Sequence, residues 1–246
     1  MTGERWALVT GATSGIGRAT ASMLAARGLG VVVGGRDPRR GAEVVAELEA
    51  LGSRAHFAQV ELATADDARR LADRALEVAG GRIHVLVNNA GAFPYGATET
   101  TDESGFDAAY ALNVKVPFFL VGALAPAMAE RGSGSIVNVT TMVARLGMAG
   151  MALYGSTKAA LELLTKAWAA EYGPRGVRVN AVSPGPTRTP GTDAMGGNLD
   201  FLAAAAPSKR PGTAEEIADG IVYLAVGAPN FVQGAVLPVD GGRLAV

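Results

Sequence analysis

The chain has no cysteine and only two histidines in 246 residues. Disulfides and thiolate metal sites are therefore excluded, and His56 and His84 without thiolate partners do not make a zinc site. Charge is scarce too: Asp, Glu, Lys and Arg together make 18% of the chain and sum to a formal −1. That balance gives no broad attraction to nucleic acid or to an anionic membrane. There is no Pro/Ser-rich linker, charge block, low-complexity stretch or internal repeat, so residues 1–246 read as one domain. Met1 passes directly into Arg5-Trp6-Ala7-Leu8-Val9 with no apolar segment before a small-residue cleavage site, so the expectation is a cytoplasmic protein. The longest apolar run, Val116 to Ala129, is short for a bilayer and contains Pro117 and Pro126, which reads as a core or subunit-interface helix. A Gly-x-Ser-x-Gly nucleophile elbow and a Gly-Lys-Ser/Thr phosphate loop are both missing, which sets aside serine hydrolases and P-loop enzymes.

What the chain has is apolar residues, 49% of it, arranged in short valine-rich runs. The runs Ala7–Thr10, Val31–Val33, Ala55–Val60, Ile83–Val87, Ile136–Val139, Val177–Val182 and Ala235–Val239 have strand length, and segments of helical period separate them. This alternation predicts an α/β fold, a Rossmann-type doubly wound parallel sheet of about seven strands with helices on both faces. Thr64-Ala65-Asp66-Asp67 and Thr213-Ala214-Glu215-Glu216 read as helix starts with an N-cap hydroxyl and an acid three residues on. Ala19, Met23 and Ala26 form a small-residue stripe suited to packing on a sheet.

The first predicted strand runs into Gly11, Gly15 and Gly17, and an Ala-rich helix follows at once. In that setting glycines permit a tight turn and let a pyrophosphate reach backbone N–H groups at a helix start, so Gly11-Ala12-Thr13-Ser14-Gly15-Ile16-Gly17 is a candidate dinucleotide cradle. A Gly-rich turn without a ligand is the plainer alternative. After the second strand, Gly35 stands where a carboxylate would bind both ribose hydroxyls of NAD, and Arg36 follows. NADP is thus favoured over NAD, with Arg39 and Arg40 as further cations and Asp37 placed in the loop, pointing away from the ribose.

Tyr154 and Lys158 are four residues apart on a predicted helix and so share a face. A phenol is a poor acid or base near neutrality, and a neighbouring ammonium that stabilises its anion makes it a better one. Taken with Asn88-Asn89-Ala90-Gly91, Asn113, Pro184-Gly185 and Asp240-Gly241-Gly242, in this order and spacing, these motifs resemble the short-chain dehydrogenase/reductase family over essentially the whole chain. The single-domain reductases of ketones and of 3-oxoacyl thioesters are the members it is most like.

The resemblance implies hydride exchange between a nicotinamide and a carbonyl carbon, with Tyr154 as general acid/base. Lys158 would hold the nicotinamide ribose and lower the phenol's pKa, and Asn113 would hold a water in the proton relay. Thr141 stands where the family usually has a serine that hydrogen-bonds the carbonyl; Thr140 is the reserve. Asn88, Ala90 and Gly91 would line the cofactor channel, Glu61 and Leu62 the adenine, and Pro184, Gly185, Thr187 and Thr189 the nicotinamide end. Each has a plainer reading: Asn88-Asn89 serve equally as a turn, and Asn113 as a helix-interior hydrogen bond.

On the substrate side, Ala92-Phe93-Pro94-Tyr95, Met142 to Leu146, Met148, Met151 and Met195 suggest a pliable apolar pocket for a ketone or secondary alcohol. Residues 187–210 read as a mobile lid without strand character. An acyl carrier protein is a candidate partner, with Arg131 and Arg175 as its cations, and a homotetramer is expected through the helices around Asn113–Glu130 and Tyr154–Tyr172. The rival from another class is a non-catalytic NADP-binding sensor on the same fold.

Overall fold

The computed structural model describes residues 5–246, apart from the Ala194 side chain. Seven parallel strands make the central sheet, in the order β3-β2-β1-β4-β5-β6-β9. They are β1 (Trp6–Thr10), β2 (Gly30–Gly35), β3 (Ala55–Gln59), β4 (Val85–Asn88), β5 (Gly134–Val139), β6 (Val177–Pro184) and β9 (Val236–Val239). A small second sheet pairs β7 (Thr187–Arg188) with β8 (Gly212–Thr213). The expected strands and their parallel pairing are all present.

Period-two alternation divides the sheet into two apolar layers. Trp6 and Leu8 of β1 join one core with Leu71, Leu120, Leu124, Leu161 and Trp168. These come from α3 (Ala65–Val78), α5 (Val116–Glu130) and α6 (Ala152–Tyr172). Ala7 and Val9 face the other way, joining Leu24, Val44, Leu48, Ile217 and Ile221. That layer is built from α1 (Gly15–Ala26), α2 (Pro38–Ala50) and α8 (Ala214–Val222). Two further helices are α4 (Glu103–Tyr110) and α7 (Gly197–Ala203).

Three expectations need correction. The buried face of α1 is Gly17, Thr20, Ala21, Leu24 and Ala25; of the expected stripe Met23 packs partly buried against this core, whereas Ala19 and Ala26 are not on that face. Small residues lie on every side of the helix, so spacing alone does not choose its inner face; the fully buried Leu24 anchors it. The apolar run from Val116 sits in a longer helix, because α4 continues into α5 through a wide π turn at Ala111–Lys115. The whole of Glu103–Glu130 is long and apolar enough to cross a membrane by length and composition, yet Leu120, Val121 and Leu124 are spent on the core. The segment 187–210 is not free of structure, since it holds β7 and α7, and the Thr192 hydroxyl donates to the Thr187 carbonyl at 2.8 Å.

Both predicted capping boxes form. The Thr64 hydroxyl accepts from the Asp67 N–H at 3.1 Å, and Asp67 Oδ2 accepts from the Thr64 N–H at 2.8 Å. Thr213 and Glu216 repeat the exchange at the start of α8. Thr64→Ala removes one of these bonds, and urea denaturation is expected to show a loss of about 1 kcal/mol.

Candidate active site

The sheet order reverses between β1 and β4, and a crevice opens there beyond the C-terminal strand ends, as expected of a doubly wound sheet. The cavity has a volume of about 800 Å³. Gly11, Thr13, Ser14, Gly15, Ile16 and Gly17 form one part of its wall, and Thr141, Tyr154 and Lys158 another.

Close packing explains the glycines. A side chain on Gly17 would collide with the Gly11 carbonyl oxygen, and Gly11 and Gly15 have φ of +64° and +51°, values that favour glycine. Ser14 caps α1 without a side-chain hydrogen bond, so its hydroxyl leaves the first N–H groups of the helix without a side-chain acceptor. These donors at a positive helix end suit an anionic phosphate. The turn is fastened to β4 by Thr10, whose Oγ1 accepts from the Asn89 and Ala90 N–H groups at 3.0 Å. Asn89 Nδ2 in turn donates to the carbonyls of Thr10 at 2.9 Å and Gly11 at 3.2 Å.

At the far end, a Cβ on Gly35 would stand 2.5 Å from the Thr13 methyl, so the position has no room for a carboxylate. Arg36, Arg40, Glu61 and Leu62 line this end of the cavity. Asp37 caps α2 instead, accepting from the Arg40 N–H and from Arg40 Nε, each at 3.0 Å. Those bonds hold its carboxyl below the usual range, the Arg40 backbone N–H chief among them. Arg39 lies beside Glu43 and is not a wall residue, so Arg40 is the second cation here.

At the chemical end, Tyr154 and Lys158 project from α6 one turn apart, and Thr141 follows directly on the segment leaving β5. Lys158 Nζ donates to the Val139 carbonyl at 2.9 Å. Burial pushes the Tyr154 phenol up to about 12, with the Thr141 hydroxyl hydrogen bond working against it, and brings the Lys158 ammonium down to about 8. Desolvation of both groups thus exceeds any lowering of the phenol's pKa in this state. Ala90, Gly91, Pro184, Gly185, Thr187 and Thr189 complete the wall as expected. Gly185 is pressed against Asp240, 2.7 Å from its Cα to a would-be Cβ. Asp240 accepts from the Gly242 and Leu244 N–H groups at 2.9 Å, which gives the Asp240-Gly241-Gly242 motif its structural part.

Two named residues stand behind the wall. Asn88 has the strand parity of Leu86 and points beneath α6, where its Nδ2 donates to Asn138 Oδ1 at 2.8 Å. It is therefore not a channel residue; Asn89 is. Asn113 is fully buried in the π turn, accepting from the Ala92 N–H at 2.8 Å and donating to the Ala92 carbonyl at 2.7 Å and Thr157 Oγ1 at 3.0 Å. Its helix-interior bonding is real, and it also clamps the Gly91-Ala92 segment. Thr140 Oγ1 lies 3.1 Å from the Val182 carbonyl.

Met142, Met148, Met151 and Met195 all reach the cavity, with Phe93, Val143, Leu199 and Leu202. Tyr95, 76% exposed, and Arg145, paired with Glu162, do not. The Arg131 guanidinium is turned to the chain itself, donating to the Ile83 carbonyl at 2.8 Å and to other nearby carbonyls. Arg175 lies over the Tyr172 ring. His84 Nδ1 accepts from the Trp6 N–H at 3.2 Å, and His56 faces Arg74, so both histidines do structural work.

Between about pH 8 and 10.5 the unfolded chain retains a lysine proton that the folded one has released, so stability gains with rising pH across that window. The unfolding free energy of the wild type relative to Lys158→Met should therefore rise from about pH 7.5 to about pH 9.5 in urea titrations. A difference independent of pH contradicts a desolvated lysine.

The comparisons with known proteins agree with this geometry. A family model described as enoyl-(acyl carrier protein) reductase matches residues 11–243. The chain is 38% identical to cis-4-hydroxycyclohexanecarboxylate dehydrogenase of Sinomonas cyclohexanicum, over 99% of this chain and 98% of that one. A solved short chain dehydrogenase/reductase family protein superposes with a TM-score of 0.91 at 46% identity, covering all of both chains. A blue fluorescent protein from a metagenomic library, solved in complex with NADPH, gives 0.92 at 33% identity over 98% of each. With both sequence and backbone matched from end to end, the chain belongs to the short-chain dehydrogenase/reductase family and is an oxidoreductase of the alcohol/carbonyl pair.

Proposed function

We propose that the protein is an NADP(H)-dependent oxidoreductase that interconverts a ketone and a secondary alcohol, with Tyr154 as general acid/base. The observation that carries the reading is the convergence of Thr141, Tyr154 and Lys158 on a cavity whose other end is a glycine turn at a helix start. The bound cofactor supplies or takes up the hydride exchanged with the carbonyl carbon. Gly11 to Gly17 hold its pyrophosphate, and Arg36 and Arg40 pair with the 2′-phosphate. Glu61 and Leu62 flank the adenine; Ala90, Gly91, Pro184, Gly185, Thr187 and Thr189 flank the nicotinamide.

Thr141 donates a hydrogen bond to the carbonyl oxygen while Tyr154 gives it a proton in reduction and removes one in oxidation. A phenol held near 12 is protonated at neutral pH, which suits it to the donor role. Lys158, brought down to about 8, keeps much of its charge there and stabilises the phenolate left behind. Asn113 Oδ1 and Lys158 Nζ each lie 3.2 Å from the point where a Gly91 Cβ would stand. Both thus face one side of Gly91, and we infer that Lys158 and Asn113 hold the water of the proton relay near it.

The substrate end is lined by methionines, Phe93 and leucines, and the charged residues of the wall other than Lys158 are Arg36, Arg40 and Glu61. This supports an uncharged, apolar ketone. A 3-oxoacyl thioester is the second substrate class, supported by 34% identity to the 3-oxoacyl-[acyl-carrier-protein] reductase of Thermotoga maritima. Residues 187–210 we read as the lid of a single catalytic domain. The exposed Phe118 and Leu163 support self-association through α5 and α6, to a homotetramer.

A carbonyl panel that includes an acetoacetyl thioester, scored by absorbance of reduced cofactor, tests the reading. Turnover is expected with NADPH at a KM at least about 10-fold below that for NADH, since the site has no ribose carboxylate and two arginines. Cofactor binding without turnover on any carbonyl supports the sensor reading instead. Thr141→Ser should retain turnover and Thr141→Ala should lose about 10²-fold, the scale of one carbonyl-oxygen donor. An alanine variant with full turnover removes Thr141 from the site.

A further inference from the structure

Tyr154, Lys158 and Glu162 follow one another at four-residue intervals and make one stripe on α6. The reaction proposed above uses the first two. Glu162 has no part in it, yet it is only 8% exposed. Its two carboxylate oxygens reach the two ends of one short segment: Oε2 accepts from Arg145 Nε at 2.9 Å, and Oε1 lies 3.3 Å from the Thr140 hydroxyl.

Between those ends stand Thr141, Met142, Val143 and Ala144. The Thr141 hydroxyl oxygen accepts from the Val143 N–H at 3.3 Å and so caps the tight turn Met142–Ala144. The turn rests on the catalytic helix itself, for a Cβ on Gly155 would stand 3.0 Å from the Val143 carbonyl oxygen. Glu162 thus ties Arg145 to the helix bearing Tyr154 and shares the single Thr140 hydroxyl proton with the Val182 carbonyl, 3.1 Å away. Arg145 is half exposed, so its ion pair with the buried Glu162 adds little net stability and counts here for position.

We propose that Glu162 is a positioning residue, which by holding Thr140 and Arg145 together keeps the Thr141 hydroxyl within reach of the Tyr154 phenol. The inference rests on the reading of Thr141 and Tyr154 as the pair that acts on the carbonyl. It predicts a coupling that a plain core ion pair would not produce: the effect of Glu162 is transmitted through Thr141.

The test is a double-mutant cycle on kcat, KM and thermal midpoint with NADPH and a ketone from the panel. Glu162→Ala is expected to lower kcat about 10-fold, with the KM for NADPH changed less than about twofold. Glu162→Gln should retain most of the rate, since its amide oxygen still accepts from Arg145. In the Thr141→Ala background the same Glu162→Ala change should cost less than about twofold, because the group it places is gone. Equal fold losses in both backgrounds, or no loss in either, overturn the proposal. Should Glu162→Ala not fold, Arg145→Met severs one arm and enters the same cycle with the same expectation. A Thr141→Ala variant as active as wild type locates the failure in the parent reading, and the role of Glu162 falls with it.

Discussion

The site depends on the removal of water from two ionisable groups one helical turn apart. Tyr154, half-buried, and Lys158, buried, lie in the wall of the crevice, and desolvation drives the phenol up to about 12 and the ammonium down to about 8. Each shift disfavours the charged form, so the pair rests as a protonated phenol beside a cation that is ready to lose its charge. Chemistry at such a site runs on restoring charge where it is needed.

The rest of the architecture delivers other groups to the same point. Strand ends β1, β4, β5 and β6 converge on the crevice, and each contributes through the loop that follows it: the glycine turn, Asn89 to Ala92, Thr140 and Thr141, and Pro184 to Thr189. Side-chain hydrogen bonds across neighbouring strands hold these loops in register. Thr10 and Asn89 join the first two, and Asn113 fastens Ala92 to Thr157 on α6. Gly185 is joined to β9 through its own N–H, which donates to the Val239 carbonyl at 3.1 Å, and packs on the Asp240 backbone. Rigid strands place loops, and loops carry function.

Local patterns were legible in the sequence because their physics is local. Valine-rich runs, capping boxes, the glycine turn and the four-residue spacing of Tyr154 and Lys158 depend on near neighbours alone. What could not be read depends on pairing over distance. Asn88 and Asn89 are adjacent and alike, and only the register of β4 beside β5, which pairs Asn88 with Asn138, sends the first inward and leaves the second in the crevice. Arg131 resembles a free cation until the carbonyl of Ile83 is found beneath it. Glu162 drew no notice because its partner Arg145 lies 17 positions away and carries no motif. Gly35 is legible as a glycine, whereas what forbids a side chain there, the Thr13 methyl, is visible only in three dimensions.

The account stands on the phenol of Tyr154 as the proton carrier. The most direct measurement is kcat for ketone reduction by Tyr154→Phe, with NADPH affinity determined in parallel by fluorescence. The account predicts a fall of at least about 10³-fold in kcat with the cofactor bound about as well as before. Turnover within about threefold of wild type would contradict it, because the ring would then act through shape and not through its proton.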